Sequence, residues 1–240
     1  MKLYVPFLGV LLIGASLLAG CERREPASPP PSTQSADASP EIPVMGPERR
    51  ILAFGDSMLT GYGLATSDSY PAKLEAALRS RGINARMSNA GVSGDTTADG
   101  LQRLAFTLGS QERAPDLVIV SLGGNDMLRG LPPEQAQANL DAILTELGKR
   151  KIEVVLLAML APPNMGAAYR AKFDPIYPAL AKRHDTVLVP FFLQPVMDRP
   201  DLVQPDHIHP TVQGIETIVA ATVDQIAGAL PKPAAPPPPR

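Results

Sequence analysis

Four short, mostly apolar runs punctuate the chain: Ile51–Phe54, Leu117–Leu122, Val154–Met159 and Val187–Phe191. Their lengths and Val/Ile content suit strands of a parallel sheet covered on both faces. Ala85–Ser88 is a fifth, weaker candidate. Between these runs, apolar positions recur with the period of a helix. Leu74, Ala77 and Leu78 share a face, and Leu101, Leu104, Ala105 and Leu108 follow i, i+3, i+4, i+7. So do Leu140, Ile143, Leu144 and Leu147, and again Phe173, Ile176, Tyr177 and Leu180. Pro175 and Pro178 must bend or interrupt the last of these. A final helix groups Ile215, Ile218, Val219, Val223 and Ile226. Strand–helix alternation repeated in this way predicts an α/β three-layer α/β/α sandwich around a five-stranded parallel sheet, with right-handed crossovers. Ligands of such sheets collect at the carboxyl ends of strands, near a reversal of strand order. The chemistry is therefore sought just after each strand.

Composition sets the boundaries of that domain. Of 27 prolines, seven fall in residues 22–48 and six in residues 231–240. Both segments are nearly without bulky apolar residues, so they cannot bury enough surface to offset the entropy of ordering. The expected organisation is a leader at 1–21, an extended linker at 22–48, a domain at 49–230 and a tail at 231–240. Lys and Arg number 22 against 24 Asp and Glu, a formal charge of −2, which supplies no electrostatic footprint for nucleic acid. One cysteine excludes an internal disulfide and any multi-cysteine metal cluster.

That cysteine has a telling place. Lys2 precedes an uncharged, mostly apolar stretch, Leu3–Gly20, which fits a secretory signal better than a membrane span. The stretch ends Leu18-Ala19-Gly20-Cys21, which resembles a bacterial lipoprotein signal. The resemblance implies lipidation of Cys21 and anchoring in the cell envelope, at the outer membrane facing the periplasm. An uncleaved anchor helix and a simple secreted, soluble periplasmic form are the alternatives. The linker would then tether the domain on the order of 30 Å from the membrane.

Each strand is followed by polar residues with two readings. Gly55-Asp56-Ser57 places a hydroxyl at a strand's end with helix N–H groups nearby, or is simply a helix cap. Asn89-Ala90-Gly91-Val92-Ser93-Gly94-Asp95-Thr96-Thr97 turns backbone N–H groups into the crevice, or is a turn and cap. Gly123-Gly124-Asn125-Asp126 offers a side-chain amide, or a turn asparagine. Asp206-His207-Ile208-His209-Pro210 holds two of the three histidines beside an aspartate able to orient a general base. His184, at a helix C-terminus after Lys182-Arg183, reads as a surface residue favouring the helix dipole.

Together and in this order, the four blocks resemble those of the SGNH (GDSL-type) hydrolases, across Phe54–Pro210. The wording is similar to that of the bacterial thioesterase I/protease I/lysophospholipase group and its arylesterase relatives. The resemblance implies a flavodoxin-like fold and a serine ester or thioester hydrolase working through an acyl-enzyme. Position by position, it implies Ser57 as nucleophile, His209 as base and Asp206 orienting it. It also implies oxyanion donors from the backbone N–H of Ser57, that of Gly94 and the Asn125 side chain. His207 stands where this pattern often has glycine. No metal or organic cofactor is expected, the partners are small acyl esters or thioesters, and a monomer is expected.

The loops Met127–Pro133 and Leu160–Met165 carry Leu and Met suited to an acyl chain, or to packing on the sheet edge. Three other readings compete. His207, His209 and Asp206 are numerous enough for a catalytic zinc site, although Pro205 and Pro210 disfavour the strand it needs. A carbohydrate O-deacetylase would use the same residues. A non-catalytic binding lipoprotein has no need of the whole set.

Overall fold

The computed structural model describes Val44 and residues 46–231. The expected leader with Cys21, most of the linker and all but the first residue of the tail lie outside the described residues. In chain order the elements are β1 (Arg49–Gly55), α1 (Ser57–Thr60), α2 (Tyr70–Ser80), β2 (Ala85–Gly91), α3 (Thr97–Gly109), β3 (Leu117–Ser121), α4 (Gly124–Leu128), α5 (Pro133–Lys149), β4 (Glu153–Leu157), α6 (Ala167–Phe173), α7 (Ile176–His184), β5 (Val187–Val189) and α8 (Val212–Ala229). The strands form one parallel sheet in the order β2-β1-β3-β4-β5. Helices flank it: α2 packs with α8, while α3, α5 and α7 pack in succession.

The apolar runs form the centre of this sheet. Every residue of β3 is buried, as are the last five of β1 and the last four of β4. The weak fifth candidate becomes a full strand, β2, with a polar sequence and largely open faces because it lies at the sheet edge. The fourth run yields only three residues of strand, and Phe191 falls in the loop beyond.

The helix faces hold with two differences. Thr97, Gly100, Leu104, Thr107 and Leu108 are the buried face of α3, whereas the expected Ala105 points to solvent and Leu101 is half-buried. Gly100 sits so close to the Leu122 side chain that a Cβ would overlap it, which turns α3 toward its small residues. The Phe173–Leu180 period is one buried surface carried by two helices, broken at Asp174-Pro175. Pro178 is tolerated inside α7 because it lies in the first turn, where N–H groups have no intrahelical partner.

Two buried tyrosine hydroxyls are paired across the layers. Tyr177 donates to the Leu122 carbonyl at 2.8 Å. Tyr70 meets Thr222 at 2.8 Å, joining α2 to α8. Thr222 already donates to the Ile218 carbonyl at 2.8 Å, so the Tyr70 hydroxyl is the donor of that pair. Tyr70→Phe then leaves no buried donor unpaired, and is expected to cost about 0.5–1.5 kcal/mol in urea unfolding with activity retained.

Candidate active site

Three strand ends converge in one row. Gly55 is in register with Gly91 of β2 on one side and Ser121 of β3 on the other. A Cβ at Gly55 would collide with the Ser121 carbonyl and the Leu59 side chain, so only glycine lets the strands close there. From this row the chain delivers Ser57 as the first residue of α1. Asn125 follows in α4, which Gly123 opens with a φ of 109°, in the left-handed region. Gly94 follows β2 with φ 87°, its carbonyl held by Arg129 Nη2 at 2.6 Å.

The histidine arrives from the opposite direction, ahead of α8. Asp206 builds its own turn: Oδ1 accepts the Ile208 and His209 N–H groups at 2.9 and 3.0 Å. Its Oδ2 then meets His209 Nδ1 at 2.6 Å, and His209 Nε2 lies 2.8 Å from Ser57 Oγ. The three-residue spacing between Asp206 and His209 is thus the span of one side-chain-capped turn. Gln204 braces the loop, its N–H donating to the His209 carbonyl at 2.7 Å and its side chain to the carbonyls of Tyr62 and Pro210. The Tyr62 ring covers His209 at 4.5 Å between centroids.

His207 is exposed, with φ 59°, which explains why glycine suits this position. It lines the cleft, but the ring bonded to Ser57 belongs to His209. Both His209 ring nitrogens are engaged, by Asp206 and by Ser57, which leaves neither directed at a metal ion. His184 is not a free surface residue: its Nε2 lies 2.6 Å from Asp141 Oδ1 and its side chain is mostly covered.

Among the described residues, neither the Ser57 nor the Gly94 backbone N–H donates to a protein acceptor. Both residues line the cleft together with Asn125. The Asn125 amide donates to the Asp95 carbonyl at 3.0 Å and faces Asp56 Oδ2 at 3.4 Å. Arg103 ties the loops behind them. Its Nε meets Asp95 Oδ2 at 2.6 Å, and its other nitrogens donate to the carbonyls of Ala90 and Gly55. Its guanidinium lies 4.3 Å over the Phe54 ring.

The cleft is about 440 Å³ and largely apolar. Met127, Leu128, Leu160 and Pro162 line it, from the two loops expected to face an acyl chain. Pro133 and Ala161 of those loops are buried instead. Tyr62, Phe191, Leu193, Met197 and Ile208 also line it and were not evident in the sequence. They lie on irregular segments, where periodicity says nothing about direction.

The fold and this site define an α/β hydrolytic enzyme of the SGNH type. A profile of the GDSL-like lipase/acylhydrolase family matches residues 53–216, and the chain belongs to that family. An arylesterase of Vibrio mimicus is 38% identical over 161 residues, which cover 67% of this chain and 80% of that protein. Esterase TesA of Pseudomonas aeruginosa is 41% identical over 162 residues, covering 68% and 80%. Among solved structures, the SGNH-hydrolase family esterase AlinE4 superposes with a TM-score of 0.67 at 62% identity, covering 78% of this chain and all of that one.

Two aspartates of the site carry opposite shifts. At Asp206, partial burial is outweighed by the backbone and ring hydrogen bonds of His209 and the Ile208 N–H, which hold the carboxyl down at about 2. Its contribution to stability is present above the unfolded value of 3.8 and is lost as pH falls toward 2. At Asp56, burial, opposed by the Met58 N–H and reinforced by Asp95 and Asp126, pushes the carboxyl up to about 7. Between 3.8 and about 7 the unfolded chain has released a proton that the folded chain keeps. Stability from Asp56 is therefore full below pH 4 and declines as pH rises to 7, by on the order of 4 kcal/mol. Asp56→Asn should remove that slope, so urea midpoints should favour the variant more at about pH 8 than at about pH 4.5. Parallel pH dependences would contradict the assignment.

Proposed function

We propose that this protein hydrolyses acyl esters and thioesters, with Ser57 as nucleophile, His209 as general base and Asp206 orienting the imidazole. The observation that carries the assignment is the continuous chain from Asp206 through His209 to Ser57, at 2.6 and 2.8 Å, inside an apolar cleft. Ser57 Oγ attacks the acyl carbonyl carbon as its proton passes to His209 Nε2. The carbonyl electron pair moves to oxygen, and the N–H groups of Ser57 and Gly94 with the Asn125 amide receive that oxyanion. His209 then protonates the departing alcohol or thiol, leaving an acyl-enzyme. Water repeats the cycle: His209 takes its proton, and collapse of the second tetrahedral intermediate frees the acid and returns the proton to Ser57.

The apolar lining supports acyl esters over acetylated sugars, whose hydroxyl groups would find few partners in it. The enzyme is expected to accept several simple aryl esters and acyl thioesters; sharp preference for one substrate alone would count against an open groove. The Leu18-Ala19-Gly20-Cys21 segment supports a lipid anchor on Cys21 and a place in the bacterial cell envelope, at the outer membrane facing the periplasm. No helix among the described residues is long and apolar enough to cross a membrane.

Steady-state kinetics of three variants test the assignment. Asn125→Ala should lower kcat by about 100-fold or more with KM little changed, since the amide acts on the transition state. His209→Ala should remove turnover, whereas His207→Ala should keep most of it. The reverse outcome for the two histidines would reassign the base.

A further inference from the structure

Asp56 stands between two of the groups assigned to the oxyanion. It is 3% exposed. Its Oδ1 accepts the Met58 N–H at 3.0 Å and so fixes the first turn of α1, where the Ser57 N–H lies. Its Oδ2 faces the Asn125 amide at 3.4 Å. A carboxylate here is costly, because it is buried with the Asp95 and Asp126 carboxylates nearby. Serine or asparagine would cap the helix as well without that cost, so capping alone does not account for an aspartate. What aspartate adds over asparagine is a second acceptor oxygen, and the group facing that oxygen is Asn125.

We propose that Asp56 is a positioning residue of the oxyanion hole, one oxygen fixing the Ser57 N–H through the α1 cap and the other holding the Asn125 amide in its working orientation. The proposal rests on Asn125 being an oxyanion donor. With Asp56 ionised, the Asn125 amide turned over would set its own oxygen against two acceptors, Asp56 Oδ2 and the Asp95 carbonyl. Those two acceptors together exclude that orientation. The contact to Asp95 is short, at 3.0 Å, and the one to Asp56 is long, at 3.4 Å. The long one is the N–H that a bound oxyanion can share, so the donor is aimed before the substrate arrives.

The test is a double-mutant cycle on the full chain with a short aryl ester at about pH 8.5. Asp56→Asn keeps the shape and the helix cap but turns an NH₂ group toward Asn125. It should lower kcat by about tenfold with KM within about twofold, in protein that unfolds at the wild-type urea concentration or above. Asp56→Ser keeps the cap on a shorter side chain that does not reach Asn125, and should lose kcat to the same extent. In an Asn125→Ala background, either substitution should change kcat by less than about twofold. Near-normal kcat in Asp56→Asn and Asp56→Ser would overturn the proposal. So would an equal loss with and without Asn125. Normal kcat in Asn125→Ala alone would instead remove the donor reading on which the proposal stands.

Discussion

The row formed by Gly91, Gly55 and Ser121 is the constraint on which the site depends. Parallel strands in register end side by side, so whatever follows them emerges at one place. Here the order β2-β1-β3 puts the first strand between the other two, and the chain leaves β1 toward β2 and later returns beside β3. Ser57, Gly94 and Asn125 belong to segments far apart in sequence, yet each is only a few residues past its strand's end. Arg103 reinforces the row by binding the carbonyls of Gly55 and Ala90 and the Asp95 carboxylate with one guanidinium. His209 alone comes from outside, and the capped turn of Asp206 together with Gln204 fixes its approach.

Asp56 and Asp206 show how one residue type serves two ends. Asp206 is partly open to water and accepts three N–H donors, so its carboxyl is held well below the usual aspartate range. In the proposed mechanism a negative charge there favours the imidazolium that forms as Ser57 gives up its proton. Asp56 has one short donor and is enclosed beside two other aspartates, which raises its carboxyl. Its environment penalises charge, and its value lies in where its oxygens point. The contrast follows from burial, donor count and the neighbouring aspartates.

Much of this was legible in the chain. The runs that became β1, β3 and β4 are apolar because both faces of an interior strand are covered, and the motif residues after them are the ones the fold brings together. β2 was faint because an edge strand with open faces has no need of apolar residues. The face of α3 was misplaced because close packing on Leu122 selects Gly100 over the larger Leu101 and Ala105, a preference that hydrophobic period does not record. Tyr62, Gln204 and Arg103 act through contacts across the fold, and no local pattern marks them. The second bond of Asp56 was hidden for the same reason: its helix cap is local, but Asn125 is 69 positions away.

Whether Ser57 is an activated nucleophile can be read by covalent labelling. The full chain would be treated with a fluorophosphonate probe and the adduct located by peptide mapping, alongside a Ser57→Ala control. A single adduct on Ser57 is expected, formed in wild type and absent from the control. Folded wild-type protein that stays unlabelled, or that carries the adduct on another residue, would contradict it.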